Sequence, residues 1–230
     1  MKFFVFLSFF GSLTLFAAPN TNLKPVWEDN FDAKEIDPKK WATGGQVRIV
    51  DGKLSLEIAP GEKPTFWRSS WASSGGKFSY GQGYFEASIR MIQTKGRWVN
   101  FSIQNDDKAK LPRANLSFTC TGADRIETNL WFTDETGSHR LVPQSPTVEL
   151  GSGASFKKFN IYGLQWNDKR YYWYVNGRKV HEMARPIPSA PMYLRFSHDL
   201  PEGGYLKEFS NPSLGPEPMQ VDWVKVFKIP

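Results

Sequence analysis

The segment Tyr84–Met91, YFEASIRM, is the part of the chain that decides the fold class most directly. From Phe85 onward every second residue is apolar, namely Phe85, Ala87, Ile89 and Met91. A two-residue period is typical of a β-strand that turns one face toward a hydrophobic core. The segment therefore predicts a sheet that is packed against a second layer.

Two short turns on either side of this segment predict β-hairpins. Asp51-Gly52 separates two apolar stretches, and Asn176-Gly177 joins the aromatic-rich segment Arg170–Val175 to Arg178–Glu182. Asp-Gly and Asn-Gly readily adopt the positive φ angles that a tight type I′ hairpin turn requires. Both regions are therefore expected to be antiparallel.

Six further segments have the length and alternation of strands, and no amphipathic helix of several turns is evident. They are Arg97–Gln104, Arg113–Cys120, Arg125–Thr133, Phe159–Trp166, Met192–Ser197 and Met219–Phe227. So many strands exceed one open sheet of ordinary size, which predicts an all-β, two-sheet sandwich. Residues 18–230 are expected to form a single domain. The single cysteine, Cys120, excludes a scaffold built on internal disulfides.

The N-terminus has the features of a secretory signal peptide. Lys2 precedes an apolar run from Phe3 to Phe16, which is followed by the small pair Ala17-Ala18. We expect residues 1–17 to be a leader and the protein to be secreted or periplasmic. The apolar run is too short to span a bilayer, and no later segment predicts a membrane span.

Charge and aromatic content indicate the kind of partner. The chain carries a net charge of +6, and 15% of its residues are aromatic, including nine tryptophans. Flat aromatic rings stack on the apolar faces of sugars, while excess basic charge favours acidic partners. The sequence thus favours a polysaccharide as the partner. An acidic or sulfated polysaccharide would account for the excess of basic residues, and generic surface charge explains that excess equally well. No run of Lys and Arg suggests nucleic acid. We expect a monomer.

Several motifs resemble family-16 glycoside hydrolases in their order and spacing, over almost all of residues 18–230. They are Val26–Asp32, Phe78–Gly81, Tyr84–Ala87, Gly96–Phe101, Phe159–Trp166, Tyr174–Gly177, Pro191–Leu194 and Met219–Phe227. The resemblance implies a concanavalin A-like jelly roll with a concave, glycan-binding sheet.

The same resemblance places the family's catalytic strand at Ala114–Cys120. It implies that Asn115 stands at the nucleophile position, Ser117 at the middle Asp position and Cys120 at the acid/base position, which follows a bulge in the family. Retaining hydrolysis needs two carboxyl groups about 5 Å apart, so this degenerate motif predicts a site close to inert. Asn115, Ser117 and Cys120 are instead expected to bind sugar, together with Trp98 and Asp199.

Other residues are candidates for a relocated site. His198 and Asp199 follow the Met192–Ser197 strand, and Glu127 is the acid of an adjoining strand, although its face depends on an unknown register. His139-Arg140 offers a contact for an anionic sugar, but an exposed turn pair is an equal explanation.

A structural calcium is the only metal that the resemblance implies. Asp222 and Gly52 match positions that hold calcium in many family members, and hard oxygen ligands suit that ion. Asp222 could equally accept backbone hydrogen bonds. No cofactor is expected to be required.

The leading hypothesis is a secreted family-16-like protein that binds a polysaccharide with little or no hydrolysis. The alternative is an active carbohydrate enzyme on an acidic or sulfated glycan. It would be a glycosidase using Asp199 or Glu127, or a lyase using His198 or a tyrosine as base. A structural protein of a wall or matrix also fits the charge, but leaves a cleft unexplained.

Overall fold

The computed structural model describes residues 18–19, 24–60, 67–91, 97–105, 111–120, 126–142, 147–148, 150, 155–200 and 217–229. All regular elements within these ranges are β-strands or short turns. The signal peptide predicted for residues 1–17 lies outside the described residues. A search of the described ranges found no helix with the length and hydropathy to span a membrane.

Eighteen strands are formed by the described residues. In chain order they are β1 (Trp27–Asp29), β2 (Ala42–Gly44), β3 (Gln46–Val50), β4 (Lys53–Glu57), β5 (Ala59–Pro60), β6 (Trp67–Arg68), β7 (Ser70–Ser73), β8 (Gly83–Arg90), β9 (Trp98–Gln104), β10 (Arg113–Cys120), β11 (Ile126–Thr133), β12 (His139–Leu141), β13 (Thr147–Val148), β14 (Asn160–Trp166), β15 (Tyr171–Val175), β16 (Arg178–Met183), β17 (Tyr193–Asp199) and β18 (Met219–Phe227).

Two eight-stranded antiparallel sheets carry most of these strands. The back sheet has the order β16-β15-β14-β8-β18-β4-β3, with β1 beside β18. The front sheet has the order β12-β11-β10-β9-β17-β7-β2, with β13 beside β11. A separate pair joins β5 to β6. The prediction of an all-β protein with two packed sheets is confirmed.

The hydrophobic core lies between the two sheets. Phe101 stacks on Phe196 within the front sheet, with ring centroids 5.3 Å apart. Phe118 of the front sheet meets Tyr162 of the back sheet edge to face at 5.2 Å. All four rings are fully buried. Because such aromatic side chains bury large apolar areas, these contacts hold the front sheet firmly against the back sheet.

Both predicted hairpins are present. Asp51 and Gly52 adopt φ angles of 50° and 69° between β3 and β4. Asn176 and Gly177 adopt 48° and 78° between β15 and β16. Two successive positive φ angles are the geometry of a type I′ turn, which the turn residues at both places predicted.

Strand β10 sets the geometry of the front sheet. It pairs with β11 from Arg113 opposite Thr133 to Cys120 opposite Ile126, and with β9 from Asn115 opposite Gln104 to Cys120 opposite Val99. Neither ladder contains a register shift. The strand is therefore regular along its length, and its side chains alternate strictly between the two faces of the sheet.

Candidate functional site

The outer face of β10 forms the floor of a groove. Leu116 and Phe118 are fully buried in the core, so the intervening residues Asn115, Ser117 and Thr119 face outward. Ser117 and Thr119 are only 5% and 9% exposed, and their hydroxyl oxygens lie 3.4 Å apart. The floor is thus lined by amide and hydroxyl groups.

Cys120 does not belong to this floor, which corrects the prediction that it binds sugar at the acid/base position. Its side chain is fully buried in the core, on the face opposite Thr119. The prediction assumed a bulge before this residue, whereas β10 keeps its register on both sides. Without a bulge, Thr119 is the residue that the strand presents to the groove.

Neighbouring strands extend the floor into rows of side chains, because directly paired residues share a face of the sheet. Asn115 lies opposite Gln104 and Trp131. Ser117 lies opposite Ser102 and Asn129 in the next row. The outward faces of β9, β10 and β17, together with Trp131, enclose a groove with a cavity volume of about 200 Å³.

Two tryptophans are exposed at this groove. Trp98 of β9 is 45% exposed and Trp131 of β11 is 40% exposed, and both line it. Burial of these rings by a ligand would be favourable, because exposed aromatic faces offer large apolar areas. Trp98 was predicted from the sequence, whereas Trp131 was missed because the face of β11 depends on its register with β10.

Hydrogen bonds hold one side of the groove floor in place. Asn115 Nδ2 donates to Gln104 Oε1 at 2.7 Å, and Gln104 Nε2 donates to the hydroxyl of Tyr193. The side-chain carbonyl oxygen of Asn115 is buried and has no partner among the described residues. A buried acceptor without a partner is costly, so this oxygen is ready to receive a donor such as a sugar hydroxyl.

Asp199 brings a carboxyl group to the groove wall. Its Oδ2 accepts hydrogen bonds from Asn100 Nδ2 at 3.1 Å and from Ser197 Oγ at 2.6 Å. Burial raises the pKa of this carboxyl, while the bond from Ser197, the charge of Arg195 and the bond from Asn100 act in the opposite direction. The predicted position of Asp199 in the groove agrees with the structure.

Glu127 lies on the same face as Asp199, but not as its close partner. It is opposite Thr119 on β11, and Asp199 is on β17, so three strand spacings, about 14 Å, separate their backbones. The side chains of Thr119 and Asn100 stand between them. Glu127 and Asp199 are therefore not the closely spaced carboxyl pair that glycoside hydrolysis uses.

His198 faces the core, which corrects its prediction as a relocated catalytic base. It is fully buried, and its Nδ1 lies 3.1 Å from the carbonyl oxygen of Leu56 in the back sheet, to which the neutral ring donates. Burial lowers its pKa to about 4, and the charge of Arg97 acts in the same direction. Since neighbouring residues of a strand point to opposite faces, the position of Asp199 in the groove keeps His198 out of it.

A lysine side chain lies at the residues predicted to hold calcium. The ammonium group of Lys53 lies 3.4 Å from Asp222 Oδ1 and donates to the carbonyl oxygen of Asp51 at 3.2 Å. Gly52 forms the turn between them. A search of the described residues found no group of three or more His, Cys, Asp or Glu side chains able to hold a metal. A lysine cation thus occupies the position between Asp222 and the turn.

The predicted pair His139-Arg140 is divided between two faces of β12. His139 stacks on Trp131 with ring centroids 5.3 Å apart, and its Nδ1 is hydrogen-bonded to Thr133 Oγ1 at 2.8 Å. Arg140 instead lies 3.9 Å from Asp134 and lines a separate surface cavity. Only His139 therefore adjoins the groove.

Two packed antiparallel sheets with a polar groove across one of them define the class as a jelly-roll sandwich of the concanavalin A-like type. The sequence matches the profile of the family described as "Glycosyl hydrolases family 16" over residues 37–225. The chain belongs to this family, which confirms the resemblance seen in the sequence.

Individual relatives agree with that assignment. A beta-glucanase of Acetivibrio thermocellus is 25% identical over 174 residues, covering 70% of this chain and 49% of the relative. A keratan-sulfate endo-1,4-beta-galactosidase of Sphingobacterium multivorum is 21% identical, covering 91% and 56%. The chain thus spans about half the length of these curated relatives. The crystal structure of a laminarinase from Flavobacterium sp. UMI-01 shares the fold, with a TM-score of 0.73 and 18% identity, covering 89% of this chain and 100% of that one.

Proposed function

We propose that this protein binds a polysaccharide in the groove of the front sheet with little or no hydrolysis. The observation that carries the proposal is the chemistry of the groove floor, where β10 presents Asn115, Ser117 and Thr119. The two acidic residues that the described strands of the front sheet carry on this outward face, Glu127 and Asp199, are three strands apart. The floor is thus suited to hydrogen bonding with hydroxyl groups.

The absence of suitable groups on β10 argues against the family mechanism. Retaining hydrolysis needs one carboxylate as nucleophile and one carboxylic acid about 5 Å away. An amide is a poor nucleophile, and the hydroxyls of Ser117 and Thr119 have no adjacent base within the described residues. General acid catalysis alone contributes about 10²–10⁴ in rate, so its loss would nearly stop the reaction.

The same floor is well suited to binding. Trp98 and Trp131 supply exposed apolar rings, and Asn115 supplies a buried acceptor without a partner in the described residues. Ligand sites for polar molecules combine apolar walls with a few fixed polar groups. The names of the relatives, a beta-glucanase and a keratan-sulfate galactosidase, support a polysaccharide as the ligand class.

The proposal includes export, because a leader is expected at residues 1–17 and polysaccharides of this kind are extracellular. N-terminal sequencing of the protein from the culture fluid or periplasm tests this part. A mature chain that begins at Ala18 is the expected result. Retention of Met1 in an intracellular protein would contradict it.

Binding and hydrolysis are tested together with purified protein. Neutral, sulfated and uronic polysaccharides are tested by retardation in glycan-loaded gels and by calorimetry, while reducing ends and unsaturated products are assayed in parallel. Retardation without products is expected. Trp98→Ala and Trp131→Ala should each weaken binding roughly three- to tenfold, since aromatic stacking contributes about 0.5–1.5 kcal/mol.

Trp223→Ala is the matched control, because Trp223 lies on the back sheet beside Lys225, away from the groove. It should leave the affinity unchanged. Equal effects of all three substitutions would argue that the groove is not the binding site.

An active glycosidase is the second candidate, and one observation favours it. Asp199 is a half-buried carboxyl group of raised pKa on the groove wall, which is a property of general acids. If the protein releases reducing ends, Asp199→Asn should abolish the release, whereas Glu127→Gln and Asn115→Ala should not. Product release that survives Asp199→Asn would exclude Asp199 as the general acid, although it would still contradict the proposal of little or no hydrolysis. The lyase alternative loses His198 as its base, because that ring faces the core.

A further inference from the structure

A second cavity adjoins the groove at the ends of β9, β10 and β11. We call it the end pocket; it has a volume of about 320 Å³ and is lined by residues that include Asn105, Arg113, Asn115, Trp131, Thr133 and His139. Asn115 and Trp131 also line the groove, so the two cavities are adjacent. Arg113 precedes Asn115 by two residues on the same face of β10, about 7 Å away.

Buried hydrogen-bond donors line the end pocket. Asn105 is only 6% exposed, and its Oδ1 accepts a bond from the backbone N–H of Ala114 at 2.9 Å. That bond fixes the amide orientation and leaves Nδ2 as a donor, which has no partner among the described residues. Arg113 Nε is likewise buried without a partner in that part of the chain. Both groups require an acceptor.

The described residues that line the end pocket carry charge of one sign only. Arg113 is cationic, and none of the residues described as lining the pocket is acidic. The nearby Asp134 lies beside Arg140 and lines the other cavity of this edge. The buried Nε–H of Arg113 without an acceptor is unfavourable, and an anion that receives hydrogen bonds from the guanidinium removes that cost.

We propose that the end pocket binds an anionic substituent, a sulfate ester or a carboxylate, of a polysaccharide that lies in the groove. This inference rests on the proposed function, since the groove must hold the sugar chain. Arg113 and Asn105 donate to the anion's oxygens, and Trp131 with its stacked partner His139 forms the wall. The sugar ring that bears the substituent then lies near Asn115.

The test compares matched ligands. A β-glucan and a galactan are each prepared in neutral, sulfated and carboxymethylated forms, and their affinities are measured by calorimetry at constant ionic strength. The sulfated or carboxymethylated form of at least one backbone should bind more tightly than the neutral form. The preferred form identifies the anion as sulfate or carboxylate.

Arg113→Met should weaken binding of the preferred anionic polymer about ten- to a hundredfold, as expected for loss of charged hydrogen bonds. Binding of the neutral polymer should stay unchanged. Arg140→Met is the matched control, because it removes the same charge from the same edge of the sheet but outside the end pocket. It should change the affinity less than twofold.

Asn105→Asp is a second variant, which tests the anion site independently if Arg113→Met fails to fold. The new carboxylate still accepts the bond from Ala114, but it replaces the amide donor by a negative charge. It should abolish the preference for the anionic polymer while the neutral polymer still binds. Thermal unfolding checks that both variants are folded.

The outcomes separate the inference from the proposed function. Equal losses in Arg113→Met and Arg140→Met, or equal affinities for neutral and anionic forms, would refute the end pocket as an anion site while groove binding still stands. If Trp98→Ala leaves the binding of every polymer unchanged, the proposed function itself fails.

Discussion

The two faces of the front sheet differ in what they allow. On the inner face of β10, Leu116, Phe118 and Cys120 are fully buried against the back sheet. On the outer face, Asn115 and Ser117 line the groove and Thr119 lies beside Ser117. The inner face is limited by volume and polarity, because it must fill a close-packed core. The outer face does not fill the core, so its side chains can change without loss of the fold.

The largest difference between the faces should come from placing an acid on each. Cys120→Glu puts a carboxyl group where the side chain is fully buried, and should destabilise the protein by about 3–5 kcal/mol, as for an unpaired buried charge. Thr119→Glu, one residue away, places it at the groove and should cost far less. Urea unfolding of both variants measures the difference. Equal losses would mean that Cys120 and Thr119 do not lie on opposite faces.

The free energy of unfolding should fall with decreasing pH because His198 lies on the inner face. Its pKa in the folded state is lowered from 6.5 to about 4, so the unfolded chain binds a proton first as the pH falls. Stability is therefore lost between pH 6.5 and 4, by roughly 3 kcal/mol in all. His198→Asn keeps a donor for the Leu56 carbonyl and should remove most of this loss. Unfolding free energies at pH 7 and pH 5 test it; parallel losses in both proteins would contradict the assignment.

One hydrogen bond links the back sheet to the backbone of β10, and its removal should cost less stability than the buried acid at Cys120. Trp173 of the back sheet donates its Nε1–H to the carbonyl oxygen of Ser117 at 3.1 Å. Trp173→Phe removes that bond and leaves a small cavity, for a loss of about 1–3 kcal/mol. Trp131→Phe, at the exposed groove, should change stability by less than about 0.5 kcal/mol. Thermal unfolding compares the two; a reversed order would refute the comparison.

The smallest effect is expected at Asp199. Burial raises the pKa of its carboxyl above the value in the unfolded chain, so its contribution to stability is present at acidic pH and lost as the pH rises through the folded-state pKa. Asp199→Asn should therefore be slightly more stable than the wild type at pH 7. The difference should vanish at a pH below the ordinary range of carboxyl groups. Melting temperatures across that range test the sign.

Much of the fold could be predicted from the sequence, because turn chemistry and alternation are local. Arg113–Cys120 and Met219–Phe227 were predicted with the bounds that the structure shows. Short strands such as Trp27–Asp29 and Ala42–Gly44 were missed. Three residues are too few for a period to show, and their pairing depends on distant strands.

The site was harder to predict, since alternation shows which residues share a face but not which face it is. Cys120 was placed in the groove because a bulge was assumed, and only pairing on both sides of β10 shows that there is none. The face of Glu127 likewise became known from its partner Thr119. Arg113 was overlooked, although its spacing of two from Asn115 already placed both on one face.

The ammonium of Lys53 between Asp222 and the Asp51 carbonyl has a consequence for the medium in which the protein works. Because the Lys53 ammonium is part of the protein chain, it cannot dissociate on dilution and a chelator cannot remove it. The junction of the β3–β4 hairpin with β18 should therefore tolerate EDTA and calcium-free buffers without any change in melting temperature. Protection by millimolar calcium would show that a free ion can still displace the lysine.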